Sequence, residues 1–411
     1  MTAEILLFVV LLGLFLFNKK RKGSVWENLK DPLYIAWFWM SISIFDYTPS
    51  ILQYIIRIGA MGYSAFVIKK QTNTFMLQRK KAMDFLLIYI FICAASILWS
   101  VNGIQTAVKV AEILVDLCLI AAICKKEGTC AAFDKMMKTL MCTCIVVQIS
   151  IFIGMLIFPE IYLGSSRGAL GVKLTGGIVS ANSVGGICVF TLICLLNMPR
   201  MSYRVFYFFI SIIELVLCQA RTSMVSILLV LVVYAIKSKK KIVYLGLAIC
   251  VIIVAYLNLD FFTAYFLRGT DVTNMQTMSG RTVMWENAKI LIEQKPLLGY
   301  GFGAGGEMVS RLNNGMTSLH SGIYECLMGV GYIGFLTLIL TYICVIACYF
   351  KLVLRYGIKN MVFDGMLLID LTIRTYMSTG IGGWHSHTIM IWFLLAASLS
   401  RGYVIFRNQT E

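Results

Sequence analysis

Three arginines and one histidine are of types that could bind an anion and move a proton. Arg167 lies in a polar loop, Arg221 follows a short turn, and Arg281 begins a segment with helical spacing. His320 stands directly before a long apolar run. A guanidinium is permanently charged and forked, which suits an anion with several oxygens, and a neutral imidazole can accept a proton near pH 7. These residues therefore predict a site that holds a strong anion beside a proton acceptor.

The elements that must position these side chains are apolar helices. The chain of 411 residues is 59% hydrophobic and only 14% charged, and its mean hydropathy is +0.82. A soluble domain carries about 25% charged residues and has no repeated runs of about 20 apolar residues. The composition excludes a cytosolic enzyme, a secreted domain and a disordered protein. It predicts an all-α polytopic membrane protein.

The apolar runs predict about 13 transmembrane helices, since about 20 apolar residues are needed to cross the hydrocarbon core. Residues 1–258 would hold spans 1–10, with an outer loop at 159–182. A large extracytoplasmic loop follows at 259–319, and residues 320–411 would hold spans 11–13. The predicted spans start near residues 4, 32, 50, 83, 107, 140, 183, 205, 222, 242, 320, 361 and 386.

The net charge of +16, from 36 basic and 20 acidic residues, is distributed in a regular way. Most of the Lys and Arg residues cluster after odd-numbered spans, for example at residues 19–22, 125–126 and 239–241. Basic loops stay in the cytoplasm, so the N-terminus is predicted outside and the C-terminus inside. The excess charge therefore sets the topology and predicts no nucleic-acid partner.

The loop at 259–319 carries a helical pattern of its own. Ser279 suits an N-cap, and Pro296 ends the pattern. We expect a short amphipathic helix along the outer membrane surface, with Arg281 at its start, where the helix dipole favours an anion. The apolar residues at helical spacing are Met284, Ala288, Leu291 and Ile292.

A glycine-rich stretch follows this helix. Gly301, Gly303 and Gly306 formally match G-x-G-x-x-G. A dinucleotide fingerprint also needs a preceding strand and a surrounding βαβ unit, and neither is predicted here. The pattern instead predicts a tight turn that brings backbone close to a substrate at the membrane surface.

Other ionisable residues lie within or at the ends of the predicted spans. Asp370 and Arg374 are spaced i, i+4 and are expected to pair, because a charge inside a membrane is costly alone. His385 and His387 are expected at a wet outer interface. No Cys or carboxylate joins them at a spacing that suits zinc, so no metal site is predicted.

The order of motifs late in the chain resembles the O-antigen ligase and polysaccharide polymerase superfamily. The resemblance covers about residues 279–340. It implies a fold similar to the glycosyltransferase C membrane enzymes. The stretches that carry it are Ser279-Gly280-Arg281, a Trp-bearing helix, Lys295-Pro296-Leu297-Leu298-Gly299-Tyr300-Gly301-Phe302-Gly303, His320, Tyr324-Glu325 and Gly331-Tyr332-Ile333-Gly334.

Members of this superfamily use two arginines for a lipid diphosphate and a histidine near the acceptor. By resemblance, His320 is the catalytic residue that orients or deprotonates the acceptor hydroxyl. Arg221 and Arg281 are the expected diphosphate ligands, and Arg167 is a further one.

The resemblance also implies contacts around this centre. Tyr324 and Glu325 are expected to contact the acceptor or to support the structure. Asn182 is carried over as well, although the residue before it is Ala181 here, where the family usually has Pro.

The implied activity is inverting transfer of a glycan from undecaprenyl diphosphate to an acceptor sugar hydroxyl on the outer face of the inner (cytoplasmic) membrane, with no metal or other cofactor. Tyr300 and Phe302 are expected to stack on sugar rings or to form an interfacial belt. The expected partners are the lipid-linked oligosaccharide donor, the glycan acceptor, the bilayer and a chain-length regulator protein.

Three roles stay open at this point. A repeat-unit polymerase for capsule, O-antigen or exopolysaccharide is the expected one, because it is the more widespread role. An O-antigen ligase, which moves finished polysaccharide to a terminal acceptor, shares the same chemistry. A lipid-linked oligosaccharide flippase is the non-enzymatic alternative, but it would need charge deep in a central cavity rather than at one surface.

Overall fold

The computed structural model describes residues 25–44, 50–71, 81–127, 130–165, 171–174, 179–198, 203–237, 281–312, 319–378, 380–383 and 385–406. The predicted spans near residues 4 and 242 lie outside these ranges. So do Arg167, the predicted N-cap Ser279 and all of residues 259–280 of the predicted large outer loop.

The regular structure of the described chain is helical apart from one small hairpin, and short 3-10 helices lie at Val25–Lys30, Ser96–Leu98 and Ile358–Met361. Strands β1 (Leu163–Ser165) and β2 (Val172–Leu174) pair antiparallel within the predicted outer loop at 159–182, with Gly164 opposite Lys173. The helices are α1 Pro32–Ser43, α2 Ser50–Gln71, α3 Lys81–Ala95, α4 Gly103–Glu127, α5 Cys130–Ile157, α6 Pro159–Tyr162, α7 Ala181–Asn197, α8 Arg204–Cys218, α9 Arg221–Lys237, α10 Arg281–Gln294, α11 Gly305–Leu312, α12 Gly322–Tyr356, α13 Val362–Met377 and α14 His387–Ser400.

The all-α class is confirmed. Within the described ranges, three segments are long and apolar enough to cross a membrane: Lys81–Leu98, Ala131–Ile157 and Gly322–Tyr356. Three further apolar helices are shorter, namely Ala181–Asn197, Arg221–Ala235 and His387–Ser400. Length and composition therefore support three spans of the described chain directly, fewer than the about 13 that the apolar runs predict.

Helix α12 shows how these helices are placed. One side buries Leu338 and Val345 against the bundle. The other side exposes the large apolar residues Ile343, Phe350 and Leu354. Exposed apolar side chains on a long helix are stable against lipid tails but not against water. The exposed face of α12 is therefore a lipid-facing face.

The core lies around α14. Every residue of α14 is buried, which makes it a central helix of the bundle. Helix α5 packs beside it, and the Trp37 indole of α1 donates to the main-chain carbonyl of Met136 on α5 at 3.1 Å. The bond satisfies a polar group that has no water to turn to.

Helix α12 is broken at Gly331, where φ is +64° and ψ is −166°. The break frees carbonyl and amide groups from the helical ladder, and the glycine-rich turn pairs with them. The Tyr300 amide donates to the Met328 carbonyl and the Gly301 amide donates to the Gly329 carbonyl, both at 2.8 Å. The turn therefore supplies hydrogen-bond partners for the backbone groups that the helix leaves unpaired at its break.

A second pair of bonds completes this junction. The Tyr332 amide donates to the Pro296 carbonyl at 2.8 Å, and the Ile333 amide donates to the Leu297 carbonyl at 3.4 Å. The predicted tight turn is present, and its backbone approaches α12. A side chain at Gly331 would clash with the Leu297 carbonyl, which explains the glycine there.

The aromatic residues of the turn correct a prediction. Tyr300 and Phe302 are both buried, so neither forms an interfacial belt or a surface for stacking on sugars. The Tyr300 hydroxyl donates to the Leu291 carbonyl at 3.0 Å, and the Phe302 amide donates to Ser96 Oγ at 2.9 Å. The Tyr300 side chain and the Phe302 main chain therefore fix the turn to neighbouring elements, and both rings are packed inside the protein.

One end of the bundle carries lysines paired with acidic side chains. Lys126 Nζ lies 2.6 Å from Asp31 Oδ2, and Lys135 Nζ lies 2.8 Å from Glu127 Oε1. The opposite end gathers the starts of α7, α9, α12 and α14 and the ends of α8 and α13. Side-chain and backbone bonds between those helix ends build the candidate site.

Candidate functional site

Helix α10 carries Arg281 to the site. Its buried residues include Met284, Ala288, Leu291 and Ile292, the four that helical spacing predicts, and also Trp285. The Trp285 indole donates to the Leu319 carbonyl at 2.9 Å, which fixes the helix beside the segment that precedes α12. The apolar face of α10 thus packs at this end of the bundle, which is called the mouth of the bundle below.

Arg281 and Arg221 lie close to each other at this mouth. Arg281 is half-buried, and its Nη1 donates to the Met377 carbonyl at the end of α13, 2.5 Å away. Burial lowers the pKa of Arg281, and the positive charge of Arg221 lowers it further. The pair is a strongly positive centre, of the kind that a polyanion neutralises.

Arg221 is the first residue of α9, so it also lies where the helix dipole is positive. The preceding residue but one, Gln219, has φ of +50° and ends α8. The Gln219 side-chain amide donates to the Val172 carbonyl of β2 at 3.0 Å. The hairpin therefore holds the turn that presents Arg221.

His320 lies next to this positive centre. Its backbone has φ of +48°, a left-handed conformation that few non-glycine residues adopt. Burial lowers the pKa of the His320 imidazole, and the Arg281 charge lowers it further. The ring is therefore neutral near pH 7 and can accept a proton.

Aromatic rings surround the Leu319–Gly322 corner. Trp285 stacks on Tyr324 with centroids 5.3 Å apart and planes 18° apart. Tyr376, at the end of α13, approaches Trp285 at 5.8 Å and is half exposed. Tyr324, predicted as an acceptor or structural contact, thus packs against Trp285.

Glu325 is buried one turn into α12, and its Oε1 accepts from the Leu319 amide at 3.0 Å. This carboxyl group, predicted to contact the acceptor or to support the structure, thus bonds the main chain just before α12. Asn182 is exposed in the first turn of α7, which Ser180 caps. It lies at the same end of the bundle as the arginines.

A further basic group adjoins the site and was missed as part of it. Arg374 on α13 is buried, and its Nε lies 2.9 Å from both carboxylate oxygens of Asp370, as the i, i+4 spacing predicts. Its Nη2 donates to Ser223 Oγ on α9 at 3.5 Å. A side chain at Gly186 would lie 2.8 Å from Arg374 Nη1 and 2.9 Å from His387 Nε2. Arg374 on α13 is therefore surrounded by residues of α7, α9 and α14.

Both histidines of the H-x-H pair are buried, so the predicted wet interface is wrong for them. His385 Nε2 lies 2.9 Å from Asp116 Oδ2 on α4. Asp116, whose carboxylate pairs with the buried His385, is remote from it in sequence. A local pattern could therefore not predict that His385 is buried. Across the residues that the structure describes, no group of three or more His, Cys, Asp or Glu side chains is placed to hold a metal ion.

Two more ionisable side chains support the surrounding packing, the half-buried Lys109 and the buried Glu214. Lys109 on α4 donates to the Gly303 carbonyl at 2.8 Å and so fixes the glycine-rich turn. Glu214 on α8 is buried, and its Oε2 accepts from Cys188 Sγ at 3.7 Å. Glu214 contacts α7 and lies in the packing of the helices.

Comparison with known proteins agrees with the resemblance seen in the sequence. No curated protein matches the chain. The O-antigen ligase family model matches residues 206–339, about a third of the chain. The matched segment runs from α8 into α12 and indicates a membrane enzyme that transfers glycans. The segment that carries Arg221, Arg281 and His320 is thereby confirmed as similar to the O-antigen ligase family.

Proposed function

We propose that this protein is a membrane glycosyltransferase that moves a glycan from undecaprenyl diphosphate to an acceptor sugar hydroxyl on the outer face of the cell membrane. The observation that carries the proposal is the convergence of Arg221, Arg281 and His320 at one end of the bundle. Two clustered arginines suit a diphosphate, and a neutral imidazole beside them suits a hydroxyl nucleophile.

The arginines would stabilise the leaving group. As the bond between the anomeric carbon and the diphosphate oxygen breaks, the electron pair leaves with the diphosphate. Charge-assisted hydrogen bonds from Arg221 and Arg281 stabilise the negative charge that develops on the diphosphate. This electrostatic stabilisation is strongest where water is excluded. The positive charge comes from side chains, and no metal or other cofactor takes part in the proposed step.

His320 would act on the nucleophile. Its neutral ring accepts the proton of the acceptor hydroxyl while the oxygen of that hydroxyl forms the new bond to the anomeric carbon. A single displacement inverts the configuration at that carbon. Burial and the positive potential of Arg281 both lower the pKa of His320, so the imidazole is neutral before the reaction, which is the protonation state that a base requires.

A repeat-unit polymerase is the role we favour, and O-antigen ligase-type transfer is the alternative with the same chemistry. The orientation proposed for either has the N-terminus outside, the C-terminus in the cytoplasm and the site outside, because basic clusters stay inside. Arg167 would add to the diphosphate site. The donor and the acceptor are glycans, and a chain-length regulator is a proposed protein partner.

Deletion of the gene in its host tests these roles through the material that accumulates. Single repeat units on the carrier or the acceptor would support the polymerase. Long polymer stranded on the lipid carrier would support the ligase and exclude the polymerase. Units trapped in the cytoplasmic leaflet would contradict both enzymes and favour a flippase.

Reconstitution tests the chemistry directly. The purified chain in liposomes would receive a synthetic undecaprenyl-diphosphate-linked oligosaccharide, and products would be resolved by size. We expect glycan transfer by the wild type and loss of transfer by His320→Ala. Near-wild-type transfer by His320→Ala would remove the assigned base.

A further inference from the structure

The main chain at His320 needs to be held in place. A left-handed φ of +48° is unfavourable for a residue with a Cβ, and such a conformation persists only where neighbouring contacts enforce it. It also decides where the imidazole points. Whatever anchors the residues on either side of His320 therefore sets the position of the ring.

Both neighbours of His320 are anchored through their backbone. The Leu319 carbonyl accepts from the Trp285 indole at 2.9 Å, and the Leu319 amide donates to Glu325 Oε1 at 3.0 Å. On the other side, the Ser321 carbonyl accepts from the Glu325 amide at 2.9 Å. Glu325 thus bonds both flanks of His320, one with its side chain and one with its main chain.

Burial of the Glu325 carboxyl group costs free energy unless the group has hydrogen-bond or charge partners. It is only 4% exposed. Buried carboxylates are rarely found without hydrogen bonds or an opposite charge. Here the Leu319 amide supplies the bond, and Lys109, which is tied to the Gly303 carbonyl at 2.8 Å, supplies an attractive charge.

We propose that Glu325 is a positioning residue for His320. By accepting from the Leu319 amide, Glu325 holds the left-handed backbone conformation of His320 that presents the imidazole to the acceptor. The inference rests on the proposed function and deepens it. Glu325 Oε1 is occupied by the main chain of its own helix cap. The reacting atoms meet His320 rather than the carboxylate.

The Glu325→Gln and Glu325→Ala variants separate this role from proton transfer. A glutamine oxygen can still accept from the Leu319 amide, whereas alanine cannot. We expect Glu325→Gln to keep kcat within about threefold and Glu325→Ala to lose up to about 100-fold, as expected for a misplaced catalytic group. The KM for the lipid-linked donor should hardly change in either variant, because Arg221 and Arg281 keep their places. Equal loss in both variants would overturn the proposal and assign the carboxylate a charge-dependent role.

A second readout does not depend on glycosyl transfer. The chain has three histidines, so isotope-labelled histidine gives three ring signals in detergent or nanodiscs, and His320→Ala assigns one of them. We expect Glu325→Ala to move the His320 signal and its titration midpoint towards those of a free histidine. Glu325→Gln should leave both near the wild type. An unmoved His320 signal in Glu325→Ala would overturn the positioning role.

These two readouts also distinguish the inference from the proposed function. If the wild type transfers no glycan while the His320 signal responds to Glu325 as expected, the function fails and the positioning role stands. Glu214→Gln is the matched control, because Glu214 is also buried but contacts Cys188 on α7. It should leave the His320 signal and the transfer rate unchanged, and thermal unfolding of each variant verifies the fold.

Discussion

Arg281 donates from Nη1 to the Met377 carbonyl across 2.5 Å, and this bond joins α10 to the end of α13. The bond uses one of the five N–H donors of the guanidinium. The same last turn of α13 carries Arg374, which reaches Ser223 on α9. A loop helix and two bundle helices are therefore tied together around a common centre of positive charge.

Arg281 should contribute directly to the rate. We expect Arg281→Ala to lower kcat/KM for the lipid-linked donor by about 10–100-fold, since a charge-assisted hydrogen bond contributes about 1.5–3 kcal/mol. Arg281→Lys should lose less, because it keeps the charge and loses only the fork. Initial rates in liposomes measure both. Lys289→Ala, an exposed position on the same helix, is the control and should match the wild type.

His320 should affect catalysis more than donor binding. General base catalysis contributes about 100–10,000-fold, so His320→Ala should lower kcat by a factor in that range. Binding of the lipid diphosphate, measured separately with a labelled donor, should remain within about threefold because the arginines are intact. A parallel loss of donor affinity would place His320 in the donor site instead.

The activity should persist in mild acid. Burial and the Arg281 charge hold the pKa of His320 below its ordinary value of about 6.5, so the neutral base is still present at that pH. The acid limb of the kcat profile should therefore fall below pH 6.5. Removing the charge in Arg281→Gln raises the pKa of His320, so the limb should move to higher pH. An unshifted limb would show that another group controls it.

The junction at Gly331 should be sensitive to a single methyl group. Gly331→Ala would place a Cβ against the Leu297 carbonyl at a φ of +64°. Gly357→Ala is the matched control, because Gly357 has φ of +81° with nothing within 4 Å of its added Cβ. Both variants carry a backbone penalty of about 1–3 kcal/mol, because this φ/ψ region is nearly exclusive to glycine, and only Gly331→Ala adds the clash. Thermal unfolding in detergent should show a clearly larger loss for Gly331→Ala, and equal losses would contradict the junction.

The stability of the protein should fall far more when one partner of the buried Asp370–Arg374 pair is removed than when both are removed. Asp370→Ala leaves the Arg374 charge buried and is expected to destabilise the protein by about 3–5 kcal/mol. The double variant Asp370→Ala with Arg374→Met removes that charge and should recover part of the loss. Denaturation in detergent compares the three proteins. No recovery in the double variant would mean that the pair is not the source of the cost.

Two helix starts near the end of the chain were predictable because long apolar runs begin there. Spans were expected from about residues 361 and 386, and the helices begin at Val362 and His387. The partners of Tyr300 and Phe302 were not predictable, because nothing in a local pattern shows that a distant helix opens at Gly331. Backbone pairing between remote segments leaves no periodicity in the sequence.

The candidate site was predictable in part for the same reason. The predicted topology and the family resemblance together placed Arg221, Arg281 and His320 at one surface, and the structure brings these three together. Arg374 was recognised as the partner of Asp370 and therefore looked satisfied within one helix. Its contact with Ser223 depends on how α9 packs on α13, which only the three-dimensional arrangement reveals.

The opening in α12 makes two remote segments of the chain depend on each other for their backbone hydrogen bonds. The loop that runs from Pro296 to Gly301 bonds α12 on both sides of Gly331, at Met328 and Gly329 before it and at Tyr332 and Ile333 after it. Backbone amides and carbonyls left unpaired away from water are costly. Neither segment completes its backbone pairing without the other, so the loop and the opened helix should form and melt as one cooperative unit.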